Sequence, residues 1–285
     1  MKSVLAVDFG GTKTTIARVD QLGAVTERQR LPAARTLHGS VDQIARRAGG
    51  AAAVGVIVPG IYASSTGRAW CPNLWGPDDV PLLTLLRDRI PAPVVVDSDR
   101  SGYVLGEAWL GAARGMRDVA FVAVGTGIGV GILSGGRVMQ GAHGIAGAAG
   151  WFALDPAWNE LYRATGCWEA ESAGPAIARH FGAADAGTVV QAARDGQRLA
   201  LDVLDRAARY CAMGIANLVS LLNPEAVVLG GGVMQGAGDL LLDRIRSDAR
   251  RWAQPMAMAR CRIELTQLGE DAGLLGAARL ALDTL

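Results

Sequence analysis

Two stretches of this chain share one design, and together they restrict the fold more than any other feature. Residues 3–20 read SVLAVDFGGTKTTIARVD: an apolar run delivers Asp8, a Gly-Gly-Thr-Lys turn follows, and a second β-prone run occupies 14–19. Residues 119–133 read VAFVAVGTGIGVGIL, again a strand running into glycines with a threonine and out into another strand. Two such units in one chain predict a duplicated fold with one copy in each of two lobes. Further apolar runs at 53–58, 93–97 and 226–229 alternate with helical patterns at 40–48 (Ser40 as N-cap), 81–90, 99–113, 196–222, 239–252 and 271–285. In the longest helix Leu199, Val203, Leu204, Ala207, Cys211, Ile215, Leu218 and Leu222 follow i, i+3, i+4 spacing, and Asn223-Pro224 ends it. Strands and helices in alternation indicate an α/β protein.

The chain has 285 residues, of which 50% are hydrophobic and 19% charged, enough for a large core. Its net charge of +1 supplies no field for nucleic acid or an anionic membrane. Glycines, prolines and charges interrupt every apolar run before transmembrane length. The chain enters a strand at once, so no export signal is expected. Cys71, Cys167, Cys211 and Cys261 form no CxxC pair and read as reduced thiols of a cytoplasmic protein. His38 and His180 read as solvated; His143, in the glycine-rich loop 141–147, reads as structural, with substrate contact as the alternative.

The glycine turns carry the chemistry. Gly10 and Gly11 present no side chain, so a bulky anion can approach backbone N–H groups there, with Thr12 and Lys13 beside it. Asp8 can hold Mg²⁺ directly or through water, since hard cations prefer oxygen. The spacing is not that of a Walker loop, and a plain tight hairpin is the competing reading. At Gly125-Thr126-Gly127-Ile128-Gly129 the Thr126 hydroxyl and nearby N–H groups can take another part of a polyphosphate; a hairpin packed in the core is the alternative. Gly230-Gly231-Gly232 follows an apolar strand, where bare backbone suits a base and ribose, although such turns also serve packing. Val94 through Asp99 end a buried strand in polar residues, and a carboxylate at that junction suits general-base work. Asp97 and Asp99 compete for the role, with helix capping as the alternative for each.

The ordered set resembles the ROK family (repressor, open reading frame, kinase) from end to end. It comprises Asp8-x-Gly-Gly-Thr-Lys, Val58-Pro59-Gly60, Pro72-Asn73-Leu74-x-Gly76, Asp99 with Gly106-Glu107, Gly125-Thr126-Gly127-x-Gly129, Gly141 through Gly147, Gly166-Cys167-x-Glu169, Asn223-Pro224-Glu225 with Gly230-Gly231-Gly232, and Asp271-Ala272 with Gly276-Ala277-Ala278. The resemblance implies a two-lobed actin/hexokinase-like fold with ribonuclease-H-like lobes. One lobe spans 1–110 and is completed by 271–285; a larger one spans 111–270. It implies an ATP- and Mg²⁺-dependent kinase acting on a sugar hydroxyl, usually the 6-hydroxyl, and a homodimer. By the same resemblance Asp99, rather than Asp97, is the catalytic base. Asp8, Gly10, Gly11, Thr12, Lys13, Thr126 and Gly127 border phosphates and Mg²⁺. Gly231 and Gly232 take the nucleoside side. Gly60, Asn73, Ser98 (where the family has Asn), Trp151 and Glu169 border the sugar.

The chain also departs from that family. Where relatives read G-E-x-G-H, it reads Gly147-Ala148-Ala149-Gly150-Trp151, losing a sugar-binding Glu and a His that also ligates zinc. Where relatives read C-x-C-G-x-x-G-C, it reads residues 160–167, ELYRATGC, keeping only Cys167. One cysteine cannot hold a structural zinc, so none is expected. Tyr162 is expected to fill the emptied volume, and Trp151 either to do the same or to form a wall for a substrate ring. A site stripped of polar groups on the C1/C2 side disfavours plain glucose and suits an aminosugar, a deoxysugar or a cyclitol. A DNA-binding regulator is disfavoured because the strand starts at residue 3. A non-catalytic sugar- or nucleotide-binding relative is the remaining alternative.

Overall fold

The first apolar run forms β1 (Ser3–Phe9), buried on both faces at residues 4–7, which is why it reads as continuous hydrophobic sequence. The computed structural model describes residues 3–285. At the end of β1 the Gly10 N–H donates to the Lys13 carbonyl at 2.8 Å, and the chain returns as antiparallel β2 (Lys13–Asp20) with Asp8 opposite Thr15. β3 (Val25–Pro32) adds an edge strand that the sequence reading misses. Its segment VTERQRLP is mostly exposed and carries no apolar alternation. Then come α1 (Leu37–Ala45), β4 (Val54–Val58), β5 (Ile61–Ala63), β6 (Arg68–Trp70), α2 (Pro72–Trp75), α3 (Leu82–Arg89), β7 (Val94–Ser98) and α4 (Asp99–Leu110). The cap of α1 is Thr36, not Ser40, whose side chain is buried and accepts from the Trp75 indole at 3.0 Å. The sheet order is β3-β2-β1-β4-β7, with β1, β4 and β7 parallel.

The same plan recurs later in the chain. β8 (Val119–Val124) turns into antiparallel β9 (Ile128–Ser134), followed by the short β10 (Arg137–Val138). Helices α5 (Tyr162–Thr165), α6 (Cys167–Ser172), α7 (Gly174–Phe181), α8 (Ala186–Arg194) and α9 (Arg198–Leu222) follow, then β11 (Ala226–Gly230), α10 (Gly232–Trp252), α11 (Pro255–Met258) and β12 (Arg262–Leu265). This sheet is ordered β10-β9-β8-β11-β12, with β8, β11 and β12 parallel. Each sheet thus begins with an antiparallel hairpin and continues with parallel strands, the duplicated actin/hexokinase-like arrangement. The C-terminal helix α12 (Asp271–Leu282) packs on α4, β1 and β4.

The chain divides into two units, one containing residues up to Gly115 with Val138–Ala146 and Glu270–Leu285, the other Met116–Arg137 and Gly147–Gly269. The segment Val138–Ala146 lies in the first unit rather than in the 111–270 half, because Gln140 donates to Asp97 at 2.8 Å and accepts from Ser64 at 2.9 Å. Leu5, Val7, Phe9, Val56, Leu82 and Leu86 anchor the first core. Trp168 and the inner stripe of α9, including Ile215 and Leu218, anchor the second. Leu199 is not part of that stripe; it is exposed on the first turn of α9. Helix α10 starts at Gly232, seven residues earlier than the sequence predicts. Glycine lowers helix propensity, yet a Cβ at Gly238 would lie 2.9 Å from the Leu265 side chain, so close packing overrides propensity. All four cysteines are buried and unbridged. No helix among the described residues is long and apolar enough to cross a membrane.

Candidate active site

In the first unit the C-terminal ends of β1 and β7 bring two carboxylates into electrostatic reach. Asp8 is half-buried, and burial followed by repulsion from Asp99 pushes its pKa up to about 7. Gly273 of α12 makes the room: a Cβ there would lie 2.6 Å from an Asp8 carboxylate oxygen. Asp99 opens α4, and burial raises its pKa to about 6. The Arg100 guanidinium, backbone N–H groups and the Tyr103 phenol, one turn along α4, oppose that rise. One Asp99 oxygen accepts from the Arg100 N–H at 2.8 Å.

Asp97 and Asp99 differ in their hydrogen bonding. Asp97 is buried and accepts from Ser98 N at 2.7 Å, Ser101 Oγ at 2.9 Å and Gln140 Nε2 at 2.8 Å. Its carboxylate is committed to the fold. Ser98 is the N-cap of α4, and its buried hydroxyl lies 3.1 Å from that of Ser101. Gly11, Thr12 and Lys13 are exposed at the β1–β2 turn, and a Cβ at Gly11 would meet nothing within 4 Å. Below the turn Phe9 and Trp75 pack edge to face at 5.6 Å. Gly60, at φ +153°, lies between β4 and β5, where a Cβ would strike the Trp70 carbonyl at 2.2 Å. Asn73 is exposed on α2.

In the second unit Thr126 is exposed at the tip of the β8–β9 turn. Glu169, on α6, accepts from Ile128 N at 2.7 Å, and a Cβ at Gly127 would lie 2.6 Å from it. Burial raises the Glu169 pKa against that N–H bond. Glu169 therefore buttresses the glycine turn, a role the sequence did not suggest. Gly231, at φ +87°, caps α10, and Gly232 opens its 21 residues with free space in front. A Cβ at Gly125 would lie 3.8 Å from Gly232 N. A glycine turn beside a helix N-terminus is suited to an anion. His38 and His143 are exposed. Trp151 is 57% exposed, which removes the packing alternative for it.

The ROK family model matches residues 4–284. The chain belongs to the ROK family. It is 32% identical over 319 residues to the glucokinase of Streptomyces coelicolor, covering 99% of this chain and 98% of that protein. It is 31% identical over 296 residues to the N-acetylmannosamine kinase of Citrobacter koseri, covering 98% of each. The ROK glucokinase of Streptomyces griseus, solved with glucose and AMPPNP, superposes with a TM-score of 0.80 at 30% identity over 99% of both chains.

Within this ROK chain Tyr162, in the segment expected to lack the zinc ligands, joins a buried polar network. Tyr162 is buried in the core, and its hydroxyl donates to Glu171 at 2.8 Å. Arg206 of α9 donates to the other Glu171 oxygen at 3.0 and 2.6 Å. His180 is not solvated as expected: Nε2 stands 3.4 Å from Glu171, and burial lowers its pKa. None of these partners is adjacent in sequence, which is why sequence reading misses the network. Replacing Glu171 with alanine removes the shared acceptor and is expected to cost about 2–4 kcal/mol. Tyr162→Phe should cost about 1 kcal/mol, because Arg206 still satisfies Glu171. Urea melts of the two variants check the order.

Proposed function

We propose that the chain transfers the γ-phosphoryl group of ATP to a hydroxyl of a sugar, aminosugar or cyclitol, the 6-hydroxyl where the acceptor is a hexose. The observation that carries this reading is Asp99: a half-buried carboxylate at the mouth of a sheet, bonded by the first turn of its own helix, whereas Asp97 beside it is also tied to the distant Gln140. Asp99 takes the acceptor proton as the oxygen–phosphorus bond forms, and the elevated pKa makes it a stronger base than an exposed aspartate. Lys13, exposed at the Gly10–Gly11 turn, meets the charge that develops on the phosphoryl oxygens. Thr126, Gly127, Gly231 and Gly232 take the rest of the nucleotide.

The residues suit Mg²⁺ and ATP. Asp8 is crowded by burial and by Asp99, a condition that a divalent cation at Asp8, direct or through water, relieves. The open space at Gly11 and Gly232 suits phosphate and ribose. Mg²⁺, when bound, offsets phosphate charge.

For the acceptor we propose a compound with fewer polar demands on its C1/C2 side than glucose. Ala148 offers no acceptor there, and the exposed Trp151 ring offers a flat apolar face. Gly60, Asn73, Ser98 and Glu169 border the acceptor directly or through the turns they hold. ADP release measured over a panel of hexoses, N-acetylated hexosamines, deoxysugars and cyclitols tests the reading. Acceptor-dependent ADP with a preferred compound other than glucose is the expected result. A panel without acceptor-dependent ADP supports a binding-only protein instead.

A further inference from the structure

Arg35 is a cation held at the β1–β2 turn between the exit of β3 and the start of α1. Register pairs Lys13 with Pro32, and Ala33 N donates to the Thr12 carbonyl at 3.0 Å, fastening the exit of β3 to the turn. One residue beyond Arg35, Thr36 caps α1 by accepting from Gly39 N at 3.2 Å. Between these two fixed points the Arg35 guanidinium reaches 3.5 Å from the carbonyls of both Gly11 and Asn73. It therefore spans from the phosphate turn to the helix carrying Asn73.

The remaining valences are unspent. Two bonds at the outer limit of hydrogen-bond length occupy one nitrogen of a group with five donors. Among the described residues, Arg35 faces no carboxylate within ion-pair distance, and neither does Lys13. Two cations flank a glycine turn with open space above Gly11. A planar fork of this kind matches phosphate oxygens, and charge-assisted bonds to them are shorter and stronger than the carbonyl contacts they replace.

We propose that Arg35 binds the terminal phosphate of the nucleoside triphosphate and stays with that group as it moves to the acceptor. The proposal rests on the kinase reading above. In the step, the bond from the γ-phosphorus to its bridging oxygen breaks as the acceptor oxygen–phosphorus bond forms. The acceptor proton passes to Asp99, and Arg35 neither gains nor loses one. Its contacts with Gly11 and Asn73 keep it at the β1–β2 turn, which the kinase reading assigns to the phosphates.

The test separates terminal-phosphate binding from general damage. Wild type, Arg35→Ala and Arg35→Lys are titrated by calorimetry with Mg·AMPPNP and with Mg·ADP, and kcat and KM are measured with the preferred acceptor. Arg35→Ala should weaken AMPPNP about tenfold or more, leave ADP within about twofold, and lower kcat about 100-fold. Arg35→Lys, which keeps charge but not the fork, should fall between. Equal weakening of both nucleotides, or unchanged AMPPNP affinity and kcat in Arg35→Ala, overturns the proposal while leaving the kinase reading intact. A wild-type chain that binds neither nucleotide and releases no acceptor-dependent ADP overturns both.

Discussion

Asp99→Asn should reduce acceptor-dependent phosphoryl transfer by about 10²–10⁴-fold while leaving nucleotide affinity largely intact. The amide keeps the size of the carboxylate and cannot take a proton. In the wild type, kcat should fall as pH drops through about 6, because burial holds the Asp99 pKa there and the protonated acid is no longer a base. Stability should move in the opposite sense. A carboxyl whose pKa is raised on folding contributes stability below its unfolded value of 3.8, and that contribution is lost as pH rises through the folded value. For Asp99 the window closes near pH 6, and for Asp8 near pH 7. The ligand-free wild type should therefore melt lower at pH 8 than at pH 5 by this contribution, and Asp99→Asn should narrow the gap. A variant that is more stable at pH 8 yet nearly inactive marks a carboxylate held ionised for chemistry at the expense of the fold. Retention of more than about a tenth of wild-type kcat by Asp99→Asn would remove Asp99 from the role of base.

What could be read from sequence follows how local each signal is. Both glycine hairpins and the buried strands were legible because continuous apolar runs and glycine turns are properties of neighbouring residues. The strand-to-helix junction at Asp97–Asp99 was legible as a place, but not which aspartate was committed: the decisive donor, Gln140, is 43 residues away. Glu171 and Arg206 are 35 residues apart and their types alone suggest two solvated charges. β3 hid because it is a mostly exposed edge strand without apolar alternation, its arginines meeting acidic residues far along the chain: Arg30 meets Glu270 at 2.7 Å and Arg28 meets Asp271. Arg35 lies in no periodic pattern, and its place at the turn shows only in the bond from Ala33 to Thr12 and in its contacts with the Gly11 and Asn73 carbonyls. Glu169 illustrates a different limit. Its acidic side chain reads as a sugar acceptor, yet the fold spends one oxygen on the backbone of the glycine turn.

The second large effect concerns the helix crossing that carries Asp99. α4 and α12 touch backbone to backbone through glycine. A Cβ at Gly276 would lie 1.8 Å from the Gly102 carbonyl oxygen, and one at Gly106 would lie 2.2 Å from that of Ala272. The sheet beneath is as close, since a Cβ at Gly55 would lie 1.9 Å from the Ala277 carbonyl. These are main-chain atoms, so no rotamer change relieves the overlap, and α12 would have to lift from α4. Gly276→Ala is therefore expected to destabilise the protein by about 3 kcal/mol or more, although alanine is the better helix former by up to about 1 kcal/mol. Gly236 in α10 supplies the opposite case: a Cβ there meets nothing within 4 Å, so Gly236→Ala should stabilise by a few tenths to about 1 kcal/mol. The same substitution in two helices thus has opposite signs, decided only by what lies across the gap. Denaturant midpoints of the two variants measure both. A Gly276→Ala protein as stable as wild type would mean that α4 and α12 do not approach this closely. Asp8 would then lose the roof that Gly273 provides, together with the burial that lifts its pKa.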